Sequence, residues 1–458
     1  MAVDFLLDVF RAHADEEAIV YADRARTFRD LLGDIAQVRA EHAAHGIGAG
    51  SVVALEADFS PAGIAHLLAL FQGGAIAVPL APASAARHAE FRRIARITHR
   101  IVLDDRDRAA IERAPAPPAA HSLYETLRAA GHPGLVLFTS GSSGEPKAAL
   151  HDGVRLLAKY RTPRHRLRTL LFLLFDHIGG FDTLLQALSN ASAVIVPAER
   201  TPEGVSAAIE RHRAEVLPAS PSFLGLLLLS EANRAHDLSS LRYITYGAEV
   251  MPQGTLDRLH AAFPGVTLLQ KYGLTELGTM RSRSSANDSL WVRIGGEGFD
   301  TRVRDGLLEI HAASSMLGYL NAPSPFTDDG WFMTGDAVEQ DGEYFRILGR
   351  ASDLINVGGR KVYPAEVEAV IAEVANVAQV AVAGEPHPFT GAIVVARVAL
   401  EHDEDPRAVE RRVREHCRAR LAPYMIPAKV VVVPGGLVTE RDKTVRRAGA
   451  GPGAGSGA

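Results

Sequence analysis

The sequence contains one cysteine and no strong excess of charge of either sign. Cys417 cannot form an internal disulfide, so a reducing compartment, the cytoplasm, is expected. It lies in the charged stretch 409–421, which is predicted to be helical, and it is expected to be a packing residue. A formal net charge of −5 over 458 residues gives no reason to expect nucleic acid or an anionic membrane as a partner.

Long apolar runs are also lacking. No stretch approaches the roughly 20 apolar residues that a membrane-spanning helix needs, so no membrane association is expected. Residues 1–4 include an early acid and no basic segment, which argues against a secretory signal. Residues 448–458 are Gly, Ala, Ser and Pro, and we predict a disordered tail there.

Lysine is scarce, because only six of the 49 basic residues are lysine. A lysine in this chain is therefore less expected to be a generic surface charge. Lys147 and Lys443 each fall within a motif.

The most informative motif is residues 139–147, Thr-Ser-Gly-Ser-Ser-Gly-Glu-Pro-Lys, which directly follows the apolar run 135–138. The run predicts a buried strand that ends in this loop. Glycine lets backbone N–H groups approach an anion, and hydroxyls with a cation complete a cradle for phosphate oxygens. The spacing is not that of a Walker loop. The alternative is a flexible Ser/Gly surface loop.

This nonapeptide resembles the phosphate-binding loop of the adenylate-forming superfamily, which comprises acyl-CoA and aryl-CoA synthetases, adenylation domains of peptide synthetases, and luciferases. The resemblance extends over about residues 25–447, with four motifs in the family's order. It implies that the loop residues bind the phosphates of ATP: Thr139, Ser140, Gly141, Ser142, Ser143, Gly144 and Lys147.

The second motif is residues 272–276, Tyr-Gly-Leu-Thr-Glu. The resemblance implies that Tyr272 flanks adenine and the acid pocket, next to Gly273, that Thr275 contacts the α-phosphate, and that Glu276 holds Mg²⁺. Attack of a carboxylate on the α-phosphorus requires charge neutralisation by a hard cation bound through oxygen. The alternative for Glu276 is a solvated turn residue. Upstream, residues 246–249 resemble the segment that lines adenine and substrate; they are Tyr246, Gly247, Ala248 and Glu249.

A third region, residues 330–336 and 349–366, also matches the superfamily. By resemblance, Asp336 accepts hydrogen bonds from the ribose hydroxyls, as carboxylates do for diols elsewhere, and Arg350 contacts ribose or phosphate. Asp353 would be a hinge. The residues expected to face the site after rotation, on the side of the acceptor, are Gly358, Gly359, Arg360 and Lys361. Most relatives have lysine where this chain has Asn356.

The closing motif, residues 439–447, resembles the segment whose lysine bridges the carboxylate and the α-phosphate during adenylation. This assigns Lys443 as catalytic, because an ammonium on a flexible stem can enter the site for one half-reaction and leave for the next. The family normally has glycine before this lysine, and here the residue is Asp442. The alternative is an ordinary basic tail.

The acid pocket is predicted from residues 175–180, Phe-Asp-His-Ile-Gly-Gly. A His-x-Gly-Gly here is typical of acyl-CoA and aryl-CoA synthetases, whereas peptide synthetases have Phe-Asp-x-Ser, with Asp anchoring the amine. The His-x-Gly-Gly register fits better and favours an acid without an α-amine, with a satisfied core histidine as the alternative. The predicted pocket residues are Asp176, His177, Ser220, Phe223, Tyr246, Gly247 and Tyr272, and His177 is also a catalytic candidate.

The alternation of strand-like and helix-like segments predicts an α/β fold with parallel or mixed sheets and flanking helices over residues 1–352. The sequence predicts helices at 27–43 and 62–71, strands at 52–55, 75–80, 100–103, 192–196 and 241–245, and an irregular connector at 104–133. From residue 353 to 447 we predict a small, mobile α+β domain.

These patterns predict an enzyme that uses ATP and Mg²⁺ to convert an aryl or acyl carboxylic acid to acyl-AMP, with release of pyrophosphate. Transfer to a thiol, most simply that of coenzyme A, would follow. A carrier-protein thiol, an amine or nitrite stays open as acceptor, and a non-enzymatic relative that only binds is the competing class. The enzyme is expected to be a monomer or homodimer.

Overall fold

A computed structural model describes residues 3–114, 121–140, 145–296, 298–434 and 437 of the chain. Four residues of the predicted phosphate loop (Gly141, Ser142, Ser143 and Gly144), together with Asp442, Lys443 and the predicted tail, lie outside the described residues.

The helices of the described residues are α1 Asp4–Ala12, α2 Phe28–Ala44, α3 Pro61–Gln72, α4 His88–Ala95, α5 Ser122–Ala130, α6 Gly153–Leu157, α7 Ile178–Leu188, α8 Pro202–His212, α9 Pro221–Leu229, α10 Ala232–Ala235, α11 Gln253–Ala262, α12 Pro364–Ile371 and α13 Pro406–Arg418. Short 3₁₀ turns cover Pro82–Arg87, Ala158–Arg161, Ala351–Asp353 and Pro423–Met425.

The strands are β1 Glu17–Tyr21, β2 Arg24–Thr27, β3 Val52–Glu56, β4 Ile76–Leu80, β5 His99–Leu103, β6 Ala109–Arg113, β7 Gly134–Ser140, β8 Pro146–Asp152, β9 Thr169–Leu170, β10 Val194–Ile195, β11 Val216–Ala219, β12 Tyr243–Tyr246, β13 Thr267–Gln270, β14 Gly273–Leu274, β15 Gly278–Thr279, β16 Ser282–Ser284, β17 Val292–Ile294, β18 Phe299–Arg304, β19 Leu307–Ala312, β20 Gly318–Tyr319, β21 Phe332–Asp341, β22 Tyr344–Arg350, β23 Ile355–Val357, β24 Arg360–Val362, β25 Val377–His387, β26 Gly391–Leu400 and β27 Lys429–Val432.

Two seven-stranded sheets form the body of the first 320 or so residues. One has the order β13-β12-β11-β9-β10-β1-β2 and is parallel except for the β1–β2 pair. The other has the order β20-β8-β7-β4-β3-β5-β6, with a parallel centre and antiparallel edges. This is the mixed α/β architecture that the sequence predicts.

One hydrophobic core lies between these two sheets and includes residues of α3 and α7. Helix α3 is buried on nearly all sides, which agrees with its almost entirely apolar sequence. Ser60 caps its N-terminus by accepting a hydrogen bond from Gly63 N, and Pro61 occupies the first turn, where a missing N–H costs nothing.

A six-stranded antiparallel sheet, β16-β17-β22-β21-β19-β18, follows and has a core of its own. The last sheet contains β24-β23-β26-β25, with β27 alongside β26, and it packs with α12 and α13 around a further core. Cys417 is fully buried in that core, and burial raises the pKa of its thiol to about 11. The packing role expected for Cys417 is therefore confirmed.

The helices and strands predicted above are present, with ends shifted by no more than two residues. The irregular connector predicted at 104–133 is wrong in part, because it contains strand β6 and helix α5. No helix of the described residues is long and apolar enough to cross a membrane.

Candidate active site

The predicted phosphate loop connects two antiparallel strands. Strands β7 and β8 pair so that Thr139 lies opposite Lys147 and Ser140 opposite Pro146. The loop residues 141–144 therefore connect the ends of a hairpin, and Thr139 and Lys147 flank it from adjacent strands. The strand predicted to enter the loop is confirmed, and both of its neighbours in the sheet, β4 and β8, are buried.

Glu276 lies next to this hairpin through a tyrosine that the sequence analysis missed. Tyr319 donates its hydroxyl hydrogen bond to Glu276 Oε1 at 2.6 Å, and Lys147 Nζ lies 5.5 Å from the centre of the Tyr319 ring, within cation–π range. Burial, and then the charge of Glu276, raise the pKa of the Tyr319 hydroxyl, so it remains a donor. The first two motifs thus meet at Tyr319.

Two further residues form hydrogen bonds with the backbone of these two motifs. His151 of β8 is fully buried and donates from Nε2 to the carbonyl of Thr275 at 2.6 Å; burial lowers its pKa to about 4, so the ring is neutral. Asn321 donates to Pro146 O at 2.8 Å and accepts from Ala148 N at 3.0 Å. The backbone of both motifs is therefore fixed by polar side chains that carry no motif signal.

A second carboxylate cluster contains Tyr272, Asp336 and Arg350. Arg350 Nε lies 2.8 Å from Asp336 Oδ1, and Tyr272 donates its hydroxyl hydrogen bond to Asp336 Oδ2. Strand pairing sets this geometry, because Asp336 of β21 lies opposite Arg350 of β22. Burial raises the pKa of the Asp336 carboxyl, while the guanidinium of Arg350 opposes the shift. Two motifs separated by some 60 residues of chain therefore share one carboxylate.

Gly273 is closely packed. It pairs with Thr279 in the β14–β15 hairpin, and a Cβ at Gly273 would approach Thr279 Cα to 3.0 Å. A side chain at this position would crowd the hairpin that carries Thr275 and Glu276.

Some of the predicted acid-pocket residues lie at the carboxyl edge of the first sheet. Ala219, Tyr246 and Gln270 lie side by side at the ends of the parallel strands β11, β12 and β13. The residues that follow them, Ser220, Gly247 and Lys271, therefore line one edge, which is where ligands bind in open α/β sheets.

The chain at Gly247 is tightly packed. A Cβ on Gly247 would lie 2.6 Å from the carbonyl oxygen of Lys271, so only glycine fits. Ala248 adopts a left-handed conformation with φ of 70°, which is unusual for a residue with a Cβ. Glu249 then accepts from Ser222 Oγ at 2.6 Å, which ties the segment to α9.

Three predicted pocket residues are engaged in the structure of the protein itself. Ser220 caps α9 by accepting from Phe223 N at 3.1 Å. Phe223 is buried against Phe172, with ring centres 4.2 Å apart. Tyr246 is buried in the same core. A contact of these residues with substrate stays a prediction.

His177 and Asp176 point to different surroundings. His177 caps α7, with Nδ1 accepting from Gly179 N at 3.1 Å, and a Cβ on Gly180 would lie 2.1 Å from Leu174 O. Asp176 is buried, and its Oδ2 accepts from Ser84 Oγ at 3.0 Å. Ser84 in turn contacts His88, whose ring lies 3.3 Å from Glu56. Asp176 thus belongs to a buried polar network.

Asp353 ends the 3₁₀ turn between β22 of the antiparallel sheet and β23 of the last sheet. The predicted acceptor residues form the tight β23–β24 turn, in which Gly358 and Gly359 have positive φ and Asn356 Oδ1 accepts from Gly359 N at 2.9 Å. Residues 358–361 are exposed, and the guanidinium of Arg360 lies 5.0 Å from the centre of the Tyr424 ring. Rotation about Asp353 stays a prediction.

The chain was compared with known families and proteins. A family profile described as "AMP-binding enzyme" matches residues 7–298, and one described as "AMP-binding enzyme C-terminal domain" matches residues 366–443. The chain therefore belongs to the AMP-binding enzyme family, which confirms the superfamily, the enzyme class and the fold predicted from the motifs.

Individual relatives agree with this assignment. An indoleacetate–CoA ligase of Aromatoleum aromaticum is 29% identical over 90% of both chains, and the long-chain-fatty-acid–CoA ligase FadD13 of Mycobacterium tuberculosis is 29% identical over 78% of this chain and 79% of its own. A crystal structure of the anthranilate CoA ligase AuaEII with anthranoyl-AMP has a TM-score of 0.80 at 21% identity, covering 97% of this chain and 95% of that one.

Proposed function

We propose that the chain is an ATP-dependent acid–CoA ligase, which forms acyl-AMP and pyrophosphate and then transfers the acyl group to the thiol of coenzyme A. The observation that carries the proposal is the convergence of Glu276, Tyr319 and Lys147 with the hairpin that bears the phosphate loop. The family membership and the CoA-ligase relatives support the same activity.

The nucleotide would bind between two carboxylates, Glu276 with its partner Tyr319 and Asp336 with its partners Tyr272 and Arg350. Asp336 holds Arg350 and Tyr272, and a carboxylate has about four acceptor sites, so capacity for ribose hydroxyls remains. Arg350 also donates to Thr334 O at 2.6 Å, which fixes the guanidinium beside Asp336. We assign ribose binding to Asp336 and Arg350, and flanking of the adenine to Tyr272 with Gly247, Ala248 and Glu249.

The residues fit a magnesium ion bound with the nucleotide. Among the described residues, no group of three or more His, Cys, Asp or Glu side chains could hold a metal. Glu276 alone suits Mg²⁺, which takes one or two carboxylates and otherwise water and phosphate oxygens. When bound, Mg²⁺ would neutralise phosphate charge, and Tyr319 would hold the Glu276 carboxylate in a fixed orientation for it.

The remaining residues orient the reactants. In adenylation, a carboxylate oxygen of the acid forms a bond to the α-phosphorus as the bond to pyrophosphate breaks. We assign the support of phosphate oxygens to Thr275, whose carbonyl accepts from His151, and to Lys147, which lies near the Tyr319 ring. Lys443 is assigned to the carboxylate and α-phosphate. Leu437, the described residue nearest to it in sequence, lines a cleft with Ser222 and Glu249.

The acid is proposed to lack an α-amine. An amine anchor would require Asp176 to face the substrate, whereas its carboxylate contacts the buried Ser84. The relatives' names, which refer to indoleacetate, a long-chain fatty acid and anthranilate, support an aryl or acyl acid. His177 and the glycines after it are the proposed pocket wall.

Coenzyme A is the proposed acceptor, in a monomer or homodimer located in the cytoplasm. Asn356 is engaged within the turn, where it accepts from Gly359 N, so it supports the shape of the acceptor loop. The alternatives to coenzyme A are a carrier-protein thiol and a non-thiol acceptor such as an amine or nitrite.

The test is acid-dependent exchange of pyrophosphate into ATP over a panel of benzoates, hydroxy- and aminobenzoates, short and medium fatty acids, and amino acids. We expect exchange with aryl or acyl acids and none with amino acids. Trapped acyl-AMP is then offered to coenzyme A, a phosphopantetheinyl carrier, an amine and nitrite. Exchange with an α-amino acid alone would overturn the acid class and make Asp176 an anchor.

A further inference from the structure

Lys271 occupies the end of the acid-pocket edge, although no motif draws attention to its side chain. Its backbone N–H donates to Tyr246 O at 2.7 Å, and its carbonyl oxygen lies against Gly247. It is flanked in sequence by Gln270, at the end of β13, and by Tyr272. Lys271 therefore contacts Tyr246 and Gly247 through its backbone and precedes Tyr272, and all three of these residues are predicted to line the pocket.

The side chain faces α7 rather than the core on the other side of the sheet. Tyr246 and Leu268 of strands β12 and β13 pack into the core shared with α9 and α11, and alternate residues point to the opposite face. On that opposite face, Asp182 of α7 acts electrostatically on Lys271. Asp182 lies one turn into α7, the helix whose N-terminus is capped by His177.

Asp182 does not neutralise the charge of Lys271, because its carboxylate already forms an ion pair with another cation, Lys159. Lys159 also donates to Thr279 O at 2.7 Å, and Tyr160 donates its hydroxyl hydrogen bond to Asp182 at 2.7 Å. The other charged group near Lys271 is Arg164, also a cation. This group of side chains therefore contains three cations, Lys159, Arg164 and Lys271, and one anion, Asp182.

The ammonium of Lys271 has no hydrogen-bond or ion-pair partner in the part of the chain that the structure describes, and the residue is only partly exposed. Burial lowers the pKa of this lysine, with Lys159 and Arg164 adding to the shift and Asp182 opposing it. A desolvated cation without a partner costs free energy that a binding anion recovers.

We propose that Lys271 binds a second anionic group on the acid, so that the preferred substrates are dicarboxylates or similar diacids. This rests on the proposed function, and it names the substrate class of the same site. One carboxylate is activated at the phosphate side, and the other, at the far end of the molecule, forms a charge-assisted hydrogen bond with Lys271.

The experiment compares acids matched in size but not in charge. Pyrophosphate exchange is measured with hexanedioate and its monoamide, and with 1,3- and 1,4-benzenedicarboxylate and their monoamides. The variants are Lys271→Met, which keeps the length of the side chain, and Lys271→Arg, which keeps the charge. Lys429→Met, an exposed lysine that pairs with Glu385, is the control for loss of one positive charge.

We expect the wild type to prefer one diacid over its monoamide by roughly 10- to 100-fold in kcat/KM, the range for a hydrogen bond to a charged group. Lys271→Met should abolish the preference by lowering activity with the diacid alone, Lys271→Arg should retain part of it, and Lys429→Met should leave it unchanged. Lys271→Met should also raise the Tm of the free protein, because a desolvated unpaired charge is removed.

Equal loss with diacids and monoamides in Lys271→Met, or a lower Tm, would make Lys271 a structural residue and overturn the inference. So would a wild type without any preference for diacids while monoacids exchange, which leaves the proposed function intact. Absence of exchange with every acid would instead refute the proposed function, and the inference with it.

Discussion

Two tyrosine hydroxyls join carboxylates to parts of the site that are distant in sequence. Tyr272 donates to Asp336, and Tyr319 donates to Glu276. Burial comes first among the causes that raise the pKa of both phenols, so both stay protonated. Each carboxylate is thereby held in one orientation before any nucleotide binds, which is the preorganisation that electrostatic catalysis requires.

The role of Glu276 can be tested with Glu276→Gln, which keeps the shape and the acceptor for Tyr319 but removes the charge. We expect the rate of adenylation to fall by roughly 10²- to 10³-fold, and the Mg²⁺ concentration for half-maximal rate to rise, because the metal loses its one carboxylate ligand. Rates are measured across a Mg²⁺ titration. Glu339→Gln, an exposed residue of β21 paired with Arg346, should behave as wild type. An unchanged titration curve for Glu276→Gln would remove this residue from the metal site.

Residues within contiguous motifs could be predicted, and residues that act across the fold could not. Asp336 and Glu276 lie in runs whose order and spacing carry the resemblance. Tyr319, His151 and Asn321 act through contacts with residues far away in sequence, and none of them stands in a pattern of its own. A lone buried histidine in an apolar strand is the one signal that could have drawn attention to His151.

At the scale of elements, the helices and strands whose apolar residues form long or regularly spaced runs could be predicted. Those without such a pattern were missed. Helix α3 and strand β4 are apolar and buried, and they appear where expected. Strand β6 is exposed on both faces at the edge of its sheet, so nothing in its sequence alternates. Helix α5 buries only Tyr124 and Leu127, too few for a helical period.

The packing of α2 on α3 contains a buried histidine pair with a consequence for stability. His42 Nε2 and His66 Nδ1 lie 2.9 Å apart, and burial lowers the pKa of both rings to about 4 from the usual 6.5. The unfolded chain therefore binds protons below pH 6.5 that the folded chain does not bind until about pH 4. Stability is full above pH 6.5 and is lost as the pH falls toward 4, by up to about 1.4 kcal/mol per pH unit for each ring.

Urea unfolding from pH 7.5 to 4.5 checks this expectation. The double variant His42→Leu/His66→Leu replaces both partners by apolar groups, which can be nearly neutral at pH 7.5. Its stability should decline less steeply than that of the wild type below pH 6.5, although the buried His151 keeps its own share of the decline. Parallel curves for the two proteins would show that the pair does not titrate on unfolding.

At the scale of the whole molecule, the two halves of the proposed reaction need different parts of the last domain. The turn at Gly358 and Gly359 is exposed. A Cβ placed on either glycine would have no neighbouring atom within 4 Å. Leu437, by contrast, lines the cleft against Ser222 and Glu249 of the large domain. The predicted boundary at Asp353 stands between the antiparallel sheet and the last sheet, where a rotation would exchange these two surfaces.

This rotation predicts opposite defects for two lysines of the same domain. Lys443→Ala should lower acyl-AMP formation by orders of magnitude, because it removes a charge that acts mainly in the transition state. Thioester formation from preformed acyl-AMP should change much less. Lys361→Ala, in the turn predicted to face the site after rotation, should spare acyl-AMP formation and slow the transfer to coenzyme A. Each half-reaction is followed separately by rapid quench, with circular dichroism to verify folding. If both variants slow both half-reactions equally, the two surfaces act together, and rotation about Asp353 is wrong.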